Sequence, residues 1–482
     1  MALVAAALLL LTRASIVGMG GRLTSDDLTS PTTVGCSNRS DCTLALQTVL
    51  SSGAETIRIP ALQNPTGPWF VAPLMLPSHA TVIFEPGCVV EALPGIAGQR
   101  AYKSGNAVLF TAQGAQNLTI IGHGATWRMQ RRSYANATIF SRAEWRHTLR
   151  LSAVDNVKII GLTLEESGGD GIYINAGASN IHIEKVRLLR HYRQAMSLVD
   201  VTNLTVVDTE LSSTGQDGFG TAPMAGVDLE PNAANASLCG IVFSRCNFTE
   251  NFGAGVQFSL GKLGQSAPPL DVRIEYCRVD GNASALVAEL GTRVNTVCAS
   301  GPKHLGRGHS CTNVTCPDQA CYSSASPGFE ISANPGQRGQ IVVVDTIVTD
   351  TLDHGLWIRD FAPGPLTLIF RRSSFFATAS RPGPLLFPNF TAARGTHILV
   401  TPVGVSPMGK YAWRAGGEAI GSVHFENVSI ADSLPRPWLL AERVSSIGLT
   451  GNARVANPHG CHVSGPGTGN MSGLDVACVS LN

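Results

Sequence analysis

Three segments of the chain repeat one pattern: Asn156-Val-Lys-Ile-Ile-Gly-Leu-Thr-Leu164, Asn180-Ile-His-Ile-Glu-Lys-Val-Arg-Leu188 and Asn203-Leu-Thr-Val-Val-Asp-Thr-Glu-Leu211. Their asparagines are 24 and 23 residues apart, and each segment alternates apolar and polar residues. That alternation has the period of a half-buried strand. A fixed period of this length, with no helix between the strands, predicts a solenoid of stacked coils, a parallel β-helix.

A second short strand follows in each coil: Gly171-Ile-Tyr-Ile174, Ala195-Met-Ser-Leu198, Gly226-Val-Asp-Leu229 and Gly255-Val-Gln-Phe258. Two apolar residues point into the coil, and the residue between them points outward. Stacking therefore predicts a row on one face, extended by similar strands before and after: Arg150, Tyr173, Ser197, Asp228, Gln257, Glu330 and Trp357. The next outward positions form a second row of Asn175, Val199, Glu230 and Ser259.

Composition points to an exported protein with no nucleic-acid partner. The net charge is +1, and only 14% of the 482 residues are charged, so there is no basic surplus for nucleic acid. The apolar start predicts a signal peptide over residues 1–20, and no other stretch predicts membrane insertion. Twelve cysteines and eleven Asn-x-Ser/Thr sequons add disulfide bonds and glycosylation to the prediction of a secreted or lumenal protein.

We expect one domain with four parts after the leader. Residues 36–104 form an N-terminal cap with a helix near 43–51, and residues 105–380 form the β-helix. A Cys-rich insertion at 261–326 interrupts it, and residues 381–482 hold the last coils and a C-terminal cap. Cys36 and Cys42 are expected to close a small loop, and Cys461 and Cys478 to tie the tail. The insertion's cysteines favour disulfides of open connectivity over a zinc site.

Two groups of motifs resemble a known superfamily. The opening Asp41-Cys-Thr-Leu-Ala-Leu-Gln47 with Val82-Ile-Phe-Glu-Pro-Gly87 resembles the N-terminal segment of pectate-lyase-superfamily proteins. Ser167-Gly-Gly-Asp-Gly-Ile-Tyr173 and Ala225-Gly-Val-Asp-Leu-Glu-Pro-Asn232 resemble the right-handed parallel β-helix proteins of this pectin-lyase-like superfamily. The resemblance covers roughly residues 40 to 370 and implies that fold, with an N-terminal capping helix.

The resemblance leaves the activity open, because members include polysaccharide lyases, glycoside hydrolases, epimerases and non-catalytic surface proteins. The motif series of the polygalacturonases and the Asp-Pro-His signature of the alginate epimerases are both absent. The branch of the superfamily therefore stays unassigned, and the residues themselves must supply the functional hypothesis.

Asp170, Asp228 and Glu230 are the candidate catalytic acids. Strand and coil spacing puts Asp228 about 7 Å from Glu230 and about 10 Å from Asp170. Inverting glycosidases separate their carboxyls by about 6.5–9.5 Å, so either pair could bracket a sugar bond and a water. The alternatives are a turn held by Asp170, a strand end at Glu230, or a Ca²⁺ site that binds a uronate. No ligand shell is defined, so the metal stays unknown and no cofactor is assigned.

Arg190, His191 and Arg193 precede the next strand at the edge of the same face. Arg190 and Arg193 are candidate catalytic cations that would neutralise a substrate carboxylate, and His191 is a candidate substrate-binding group. The alternative is a solvated basic corner. Further substrate-binding candidates share positions in the outward rows: Tyr173, Asn175, Gln257 and Trp357. The aromatic ones could stack on sugar rings, or could be exposed without a partner.

The functional prediction is a secreted enzyme, a glycoside hydrolase or a polysaccharide lyase, that cleaves a polysaccharide lying across the outward face. The alternative is a non-catalytic glycan-binding or structural surface protein. Neither the sugar nor the oligomeric state follows from the residues. A cluster of acids and bases at one height of the solenoid favours the enzyme, whereas an unclustered ladder favours the alternative.

The repeat also predicts two contacts. Aligning Ile241–Cys246 with Val272–Cys277 makes Cys246 and Cys277 buried neighbours on adjacent coils, within disulfide reach. A second alignment stacks asparagines at one corner: Asn117, Asn156, Asn180 and Asn203. Enclosed in an amide ladder, these side chains would exclude glycans at the Asn117 and Asn203 sequons, leaving loop sequons such as Asn235 or Asn313 for modification.

Overall fold

The computed structural model describes residues 41–62, 67–134, 136–141, 143–215, 220–280, 327–333, 337–349, 351, 354–376, 398–402, 420–431, 438–441, 449–457, 461, 463–464 and 473–479. Alternating burial along the strands generates the architecture. The strand Val201–Val207, for example, buries Leu204 and Val206 and turns Thr205 outward. Because each coil must bury one such face, coils stack on each other and share a continuous core.

The strands form three parallel sheets, and each coil gives one strand to each sheet. Numbered in chain order, the strands of sheet 1 are β1 (Thr56–Ile59), β4 (Ala80–Phe84), β7 (Gln116–Ile121), β10 (Asp155–Ile160), β13 (Ala178–Glu184), β16 (Val201–Val207), β19 (Leu238–Ser244), β22 (Leu270–Glu275), β25 (Gly339–Val344), the end of β27 (Leu356–Arg371), the start of β30 (Ile420–Ala431), β32 (Leu449–Ala456) and β34 (Gly473–Val479).

Sheet 2 carries the shortest strands, most of them three residues long. They are β2 (Trp69–Val71), β5 (Val89–Ala92), β8 (Thr126–Arg128), β11 (Thr163–Glu165), β14 (Arg187–Leu189), β17 (Glu210–Ser212), β20 (Asn247–Thr249), β23 (Arg278–Asp280), β26 (Ile347–Thr349), β28 (Ser374–Phe376) and the ends of β30, β32 and β34.

Sheet 3 carries the predicted outward rows. Its strands are β3 (Leu74–Met75), β6 (Phe110–Gln113), β9 (Leu149–Ser152), β12 (Ile172–Asn175), β15 (Met196–Leu198), β18 (Val227–Leu229), β21 (Val256–Leu260), β24 (Phe329–Ala333), the start of β27, β29 (Ile398–Pro402), β31 (Leu439–Ala441) and β33 (Val463–Ser464). Within the expected N-terminal cap, β1 and β4 pair in register with these coils. Within the insertion expected at 261–326, β22 and β23 also continue the coils, so the coil pattern extends at least to Asp280.

The core is a set of inward columns that run through the coils. One column on sheet 1 is buried from the first described coil to the last third of the chain, and consists of Ile57, Val82, Ile120, Ile159, Ile183, Val206, Phe243, Ile274, Val343, Phe370 and Phe425. Stacked aliphatic and aromatic side chains of this kind remove apolar surface from water along the whole axis.

A helix covers the first coil. Helix α1 (Thr43–Leu50) buries Leu46, Val49 and Leu50, as the sequence predicts, and covers a core that would otherwise be open. Two further helices, α2 (Gly95–Tyr102) and α3 (Arg131–Tyr134), lie in connections between coils. Cys42 is disulfide-bonded, whereas its predicted partner Cys36 lies outside the described residues.

The asparagine corner forms a ladder with positive φ. Each of the four asparagines has φ between 51° and 56°, a left-handed conformation that asparagine tolerates better than most residues. Asn156 Nδ2 donates to Asn117 Oδ1 at 2.7 Å, and Asn203 Nδ2 donates to Asn180 Oδ1 at 3.2 Å. Between them the ladder is displaced, since Asn180 Nδ2 donates to Asp155 Oδ1 at 2.7 Å.

The expected enclosure of these side chains is wrong, because all four asparagines are exposed. Neighbouring amides stack along the corner without covering one another from solvent. The choice of glycosylated sequons therefore stays a prediction, and Asn313 lies outside the described residues.

The predicted cysteine contacts are confirmed. Cys246 and Cys277 are buried, and the Cys246 backbone N–H lies 3.3 Å from Cys277 Sγ; both are free thiols. Cys461 and Cys478 form a disulfide with a Cα–Cα distance of 5.8 Å. The cysteines of the predicted insertion beyond residue 280, with His304 and His309, lie outside the described residues.

Candidate functional site

The outward row on sheet 3 has the predicted register. Pairing runs from Arg150 to Tyr173, Ser197, Asp228, Gln257, Glu330 and Trp357, one strand after another. Glu230 follows β18 two residues after Asp228, and Asn175 ends β12 two residues after Tyr173. The coils therefore bring the candidate acids, amides and aromatics onto one face.

A third row, missed in the sequence analysis, completes the site. It occupies the position two residues before each sheet 3 strand and contains His147, Asp170 and Gln194, which precede β9, β12 and β15. The same repeat that aligned the strands also aligns these residues, so the register was a usable signal. We call His147, Asp170, Arg193, Gln194, Ser197, Asp228 and Glu230 the acid cluster.

The acids are covered, although the rows point away from the core. Asp170 is 0% exposed and Asp228 is 1% exposed, whereas the sequence predicted open, solvated carboxyls. Each also has one carboxyl oxygen, Oδ1, that is buried without a hydrogen-bond partner in the described structure. Neighbouring side chains and turns cover the row, which strand period alone does not reveal. Unpartnered buried oxygens of this kind are uncommon and suggest a function.

Asp170 lies in the centre of the acid cluster. Its Oδ2 is 2.8 Å from Ser197 Oγ and 3.2 Å from His147 Nδ1. The Asp170 backbone N–H donates to the same Nδ1 at 3.0 Å, so that nitrogen presents its lone pair. Burial, followed by the charges of Arg150 and Arg193, holds the pKa of His147 well below its usual value. An ionised Asp170 would therefore face a lone pair.

Hydrogen-bond counting places a proton on a buried carboxyl. The Ser197 hydroxyl contacts Asp170 Oδ2 and also Gln194 Oε1, yet it has one proton to donate. If the hydroxyl donates to Gln194, its contact with Asp170 needs a proton on Asp170. Rotating the Gln194 amide by half a turn exchanges its oxygen and nitrogen. The oxygen then faces Asp228 Oδ2, which Nε2 otherwise contacts at 3.1 Å, and Asp228 must be the protonated group. In either orientation one acid keeps its proton.

The electrostatics of both carboxyls agree with this count. Burial raises the pKa of Asp170 to about 7; Arg193 opposes that shift, and Glu230 reinforces it. Burial also raises the pKa of Asp228 well above its ordinary value, with Glu230 adding to the rise. Removing a carboxylate from water disfavours its charged form, so both groups favour the neutral acid.

Glu230 has the opposite environment. Arg193 grips it with both ends of its guanidinium, with Nη1–Oε1 at 2.6 Å and Nη2–Oε2 at 2.7 Å. Arg193 also lies 3.1 Å from Glu144 Oε2 and 3.6 Å from Asp170 Oδ1. Burial acts to lower the pKa of Arg193, but Glu230 and Asp170 outweigh it and raise that pKa. A bidentate pair of this geometry fixes both carboxyl oxygens of Glu230 against the guanidinium.

A ring stack leads from the acid cluster toward solvent. Tyr173 stacks on His147 with ring centroids 4.6 Å apart and planes 6° apart, and Arg150 Cζ lies 6.0 Å from the Tyr173 centroid. Tyr173 and Asn175 are both half-buried. Burial raises the pKa of Tyr173, which suits a proton donor or stacking surface better than a base.

Three candidates do not face the site. Arg190 pairs with Glu165 and, at 2.7 Å, with Glu166, carboxylates that lie at the end of β11 and in the turn after it. His191 is 0% exposed, and its Nδ1 lies 2.9 Å from Ser167 Oγ; burial lowers its pKa to about 3. Trp357 keeps its place in the row but is buried. These side chains were predicted to be open to substrate and are instead parts of the packed structure.

Gln257 stays half-buried, with Nε2 donating to Ser259 Oγ at 3.1 Å, and Ser259 Oγ lies 3.3 Å from Asp228 Oδ2. For metal binding, the described residues contain no group of three or more His, Cys, Asp or Glu side chains that could hold an ion. At the acid cluster, Arg193 already contacts the carboxyls that would have to bind Ca²⁺.

No helix in the described part of the chain has the length and apolar character required to cross a membrane.

Comparison with known proteins supports the fold. The family model described as "Right handed beta helix region" matches residues 106–297. A search of curated proteins finds no match. The A-module of the Azotobacter vinelandii mannuronan C-5 epimerase AlgE6 is similar in structure, with a TM-score of 0.56, 11% identity, and coverage of 95% of this chain and 99% of that one.

Two other solved structures are similar over most of this chain. The Streptococcus pneumoniae surface adhesin PfbA gives a TM-score of 0.55 at 12% identity and covers 92% of this chain and 91% of its own. The Dettilon tailspike protein gives 0.54 at 11% identity, covering 93% of this chain and 67% of its own. The TM-scores establish a shared fold, whereas identities this low carry no information about a shared activity. With its three parallel sheets and this family match, the chain has the fold of a right-handed parallel β-helix.

Proposed function

We propose that this protein cleaves a polysaccharide that lies across sheet 3, with the acid cluster as its acid–base centre. One observation carries the proposal. Asp170 is a buried acid whose surroundings favour its proton, and a single arginine lies between it and a second carboxyl group, that of Glu230. A pair of carboxyl groups, one of them kept protonated by burial, is what glycosidic bond cleavage requires.

The roles follow from these two environments. Asp170 donates its proton to the glycosidic oxygen as that bond breaks, and the leaving sugar departs with a new hydroxyl group. Glu230 accepts a proton, either from an attacking water in hydrolysis or from a sugar carbon in elimination. Both routes conserve protons, since one carboxyl gives what the other takes. The superfamily contains enzymes of both kinds, so the assay must distinguish them.

Substrate access requires a change at Arg193. Its Nη1 lies between Asp170 and Glu230, which leaves no room for a sugar bond there. A substrate that carries its own anionic group can exchange with Glu230 as the partner of Arg193, because a guanidinium binds any planar carboxylate in the same way. Binding would then open the path to Asp170 and release Glu230 to act as a base.

Non-catalytic glycan binding is the second candidate, and the burial of Asp170 and Asp228 favours it. A buried polar cluster can simply fix the positions of turns. The similar fold of a streptococcal surface adhesin shows that a β-helix of this size also serves a binding protein. In that case the protein would bind glycan through the half-buried residues of the rows and leave it intact.

A panel assay separates the two candidates. The full chain is incubated with acidic and neutral polysaccharides in heavy water, and three readouts are followed. They are new reducing ends, the ultraviolet absorbance of unsaturated sugars, and deuterium incorporated at a sugar carbon. Asp170→Asn and Glu230→Gln should abolish the product. The matched control is Asp208→Asn, which removes a carboxylate bonded to Arg245 at an exposed corner. Glycan binding without any product, unaffected by Asp170→Asn, would establish the second candidate.

A further inference from the structure

Arg150, on the proposed binding face, forms no ion pair at contact distance in the described part of the chain, although Asp170 acts on its charge from farther away. It lies half-buried in the outward row of sheet 3, and its Nε is buried without a hydrogen-bond partner. Within the part of the chain that the structure describes, its one specific contact is with the Tyr173 ring. A half-buried charge without a hydrogen-bonded partner costs stability, so its presence needs a reason.

Other arginines on the coils show the contrast. Arg128, Arg187 and Arg245 each pair with a carboxylate at 2.6 to 2.8 Å. Their side chains are 44 to 56% exposed, so solvent could have hydrated these charges without a partner. Arg150 has uncharged neighbours in its row instead, with Thr111 on one side and Tyr173 on the other. These three arginines have a carboxylate partner, whereas Arg150 has none at contact distance in the described part of the chain.

Its position relative to the acid cluster is defined by the ring stack. Tyr173 separates Arg150 from His147, and His147 contacts Asp170. The charge of Arg150 is close enough to act on the pKa of His147. A group bound by Arg150 would therefore be linked to Asp170 through two stacked rings, those of Tyr173 and His147.

We propose that Arg150 binds an anionic substituent of the polysaccharide, a carboxylate or a sulfate ester, so that the ligand of this face is an acidic glycan. The proposal rests on the proposed function for its binding face, but it concerns binding and does not require cleavage. The guanidinium supplies a fork of donors for two oxygens of one substituent. Tyr173 supplies a ring surface for the sugar that carries it.

A structural role for Arg150 makes the opposite prediction for stability. If its stem and charge held the coils together, Arg150→Gln would lower the melting temperature. An unpaired cation kept for a ligand is a cost in the free protein, so the same change should leave the melting temperature equal or higher.

The test measures binding to matched pairs of oligosaccharides, using Asp170→Asn protein so that the ligand is not consumed. One pair is an oligouronate and its carboxyl-reduced form; the other is a sulfated oligosaccharide and its desulfated form. Arg150→Gln and Arg150→Lys are compared with Arg187→Gln, which removes an outward arginine from sheet 2. We expect Arg150→Gln to weaken binding of one acidic ligand by roughly ten- to hundredfold, with Arg150→Lys between, and Arg187→Gln unchanged.

The outcomes separate this proposal from the proposed function. Four results would each overturn the Arg150 site. They are an unchanged affinity for every acidic ligand when Arg150→Gln is introduced, equal binding of acidic and neutralised ligands, a failure of all four ligands to bind, and a lowered melting temperature. Cleavage of a neutral glycan by the wild-type chain and Arg150→Gln alike would do so too, while leaving the cleavage proposal intact. An Arg150-dependent acidic ligand that no wild-type assay cleaves would keep the site and refute the enzyme.

Discussion

At the scale of single residues, Asp170 links the fold to the chemistry. Its folded pKa of about 7 lies above the ordinary value of 3.8, so the unfolded chain loses this proton first. Wild-type stability should therefore fall as pH rises from about 4 to 7 and change no further from this group above that. Asp170→Asn lacks the titration and should gain on the wild type by up to about 4 kcal/mol.

Urea unfolding of both proteins at several pH values measures this difference, in which the other carboxyls largely cancel. A stability difference that does not change between pH 4 and 8 would mean that Asp170 titrates normally, and would remove the protonated acid from the account.

Asp228 gives a second test at this scale. It accepts hydrogen bonds from Gln194 Nε2 and Ser259 Oγ through one oxygen, and an asparagine side chain can keep both. Asp228 is linked to the acid Asp170 through Gln194 and Ser197, so Asp228→Asn should lower turnover by changing the protons shared along that chain. It should shift the melting temperature by only a few degrees, because it replaces one neutral group by another of the same shape. Calorimetry and the panel assay measure the two effects. Full activity would take Asp228 out of the mechanism, and a large fall in melting temperature would make it a structural residue.

At the scale of elements, the asparagine ladder contributes to stability in two ways, through its hydrogen bonds and through the tolerance of asparagine for a positive φ. Asn180 combines a φ of 54° with hydrogen bonds to the coils on both sides. Asn180→Ala loses the bonds and keeps a strained backbone, so it should cost roughly 1–2 kcal/mol, whereas Asn180→Gly relieves the strain and should cost less. Gly240, with φ 68°, lies beside Asn203 in the next coil. Equal losses in the two variants would show that backbone strain does not contribute.

Glycan mapping of protein secreted from a eukaryotic host tests the same corner. We expect lower occupancy at Asn203, whose amide nitrogen donates to Asn180, than at Asn235 in an exposed turn. A fully occupied Asn203 would mean that the ladder does not compete with modification.

The turn after β11 has a fixed geometry because of Arg190. By bonding Glu165 and Glu166, this side chain holds the turn that leads to Asp170 while lying three residues before Arg193. Arg190→Gln should lower the free energy of unfolding by about 1–3 kcal/mol and reduce turnover without changing the pH at which turnover falls. A changed pH profile with unchanged stability would restore Arg190 to the catalytic group.

At the scale of the whole molecule, the repeat explains what the sequence could predict. A period of 23 to 24 residues places Arg150, Tyr173 and Ser197 in one row. The four later members, at longer spacings, were placed by the repeated strand pattern of two apolar residues around an outward one, because every coil must align its apolar residues with the next. The same period could have identified His147 and Gln194. Burial was not accessible in this way, since the groups covering Asp170 and His191 come from turns whose paths have no periodic signal.

The central claim is that a protonated Asp170 on this face drives cleavage of a glycan. The pH dependence of kcat/KM on the best substrate tests it most directly, with Asp208→Asn as the control. We predict a fall in kcat/KM above an apparent pKa of about 7, as the acid loses its proton, in wild type and control alike. A rate that rises through neutral pH, or that Asp170→Asn leaves unchanged, would contradict the account.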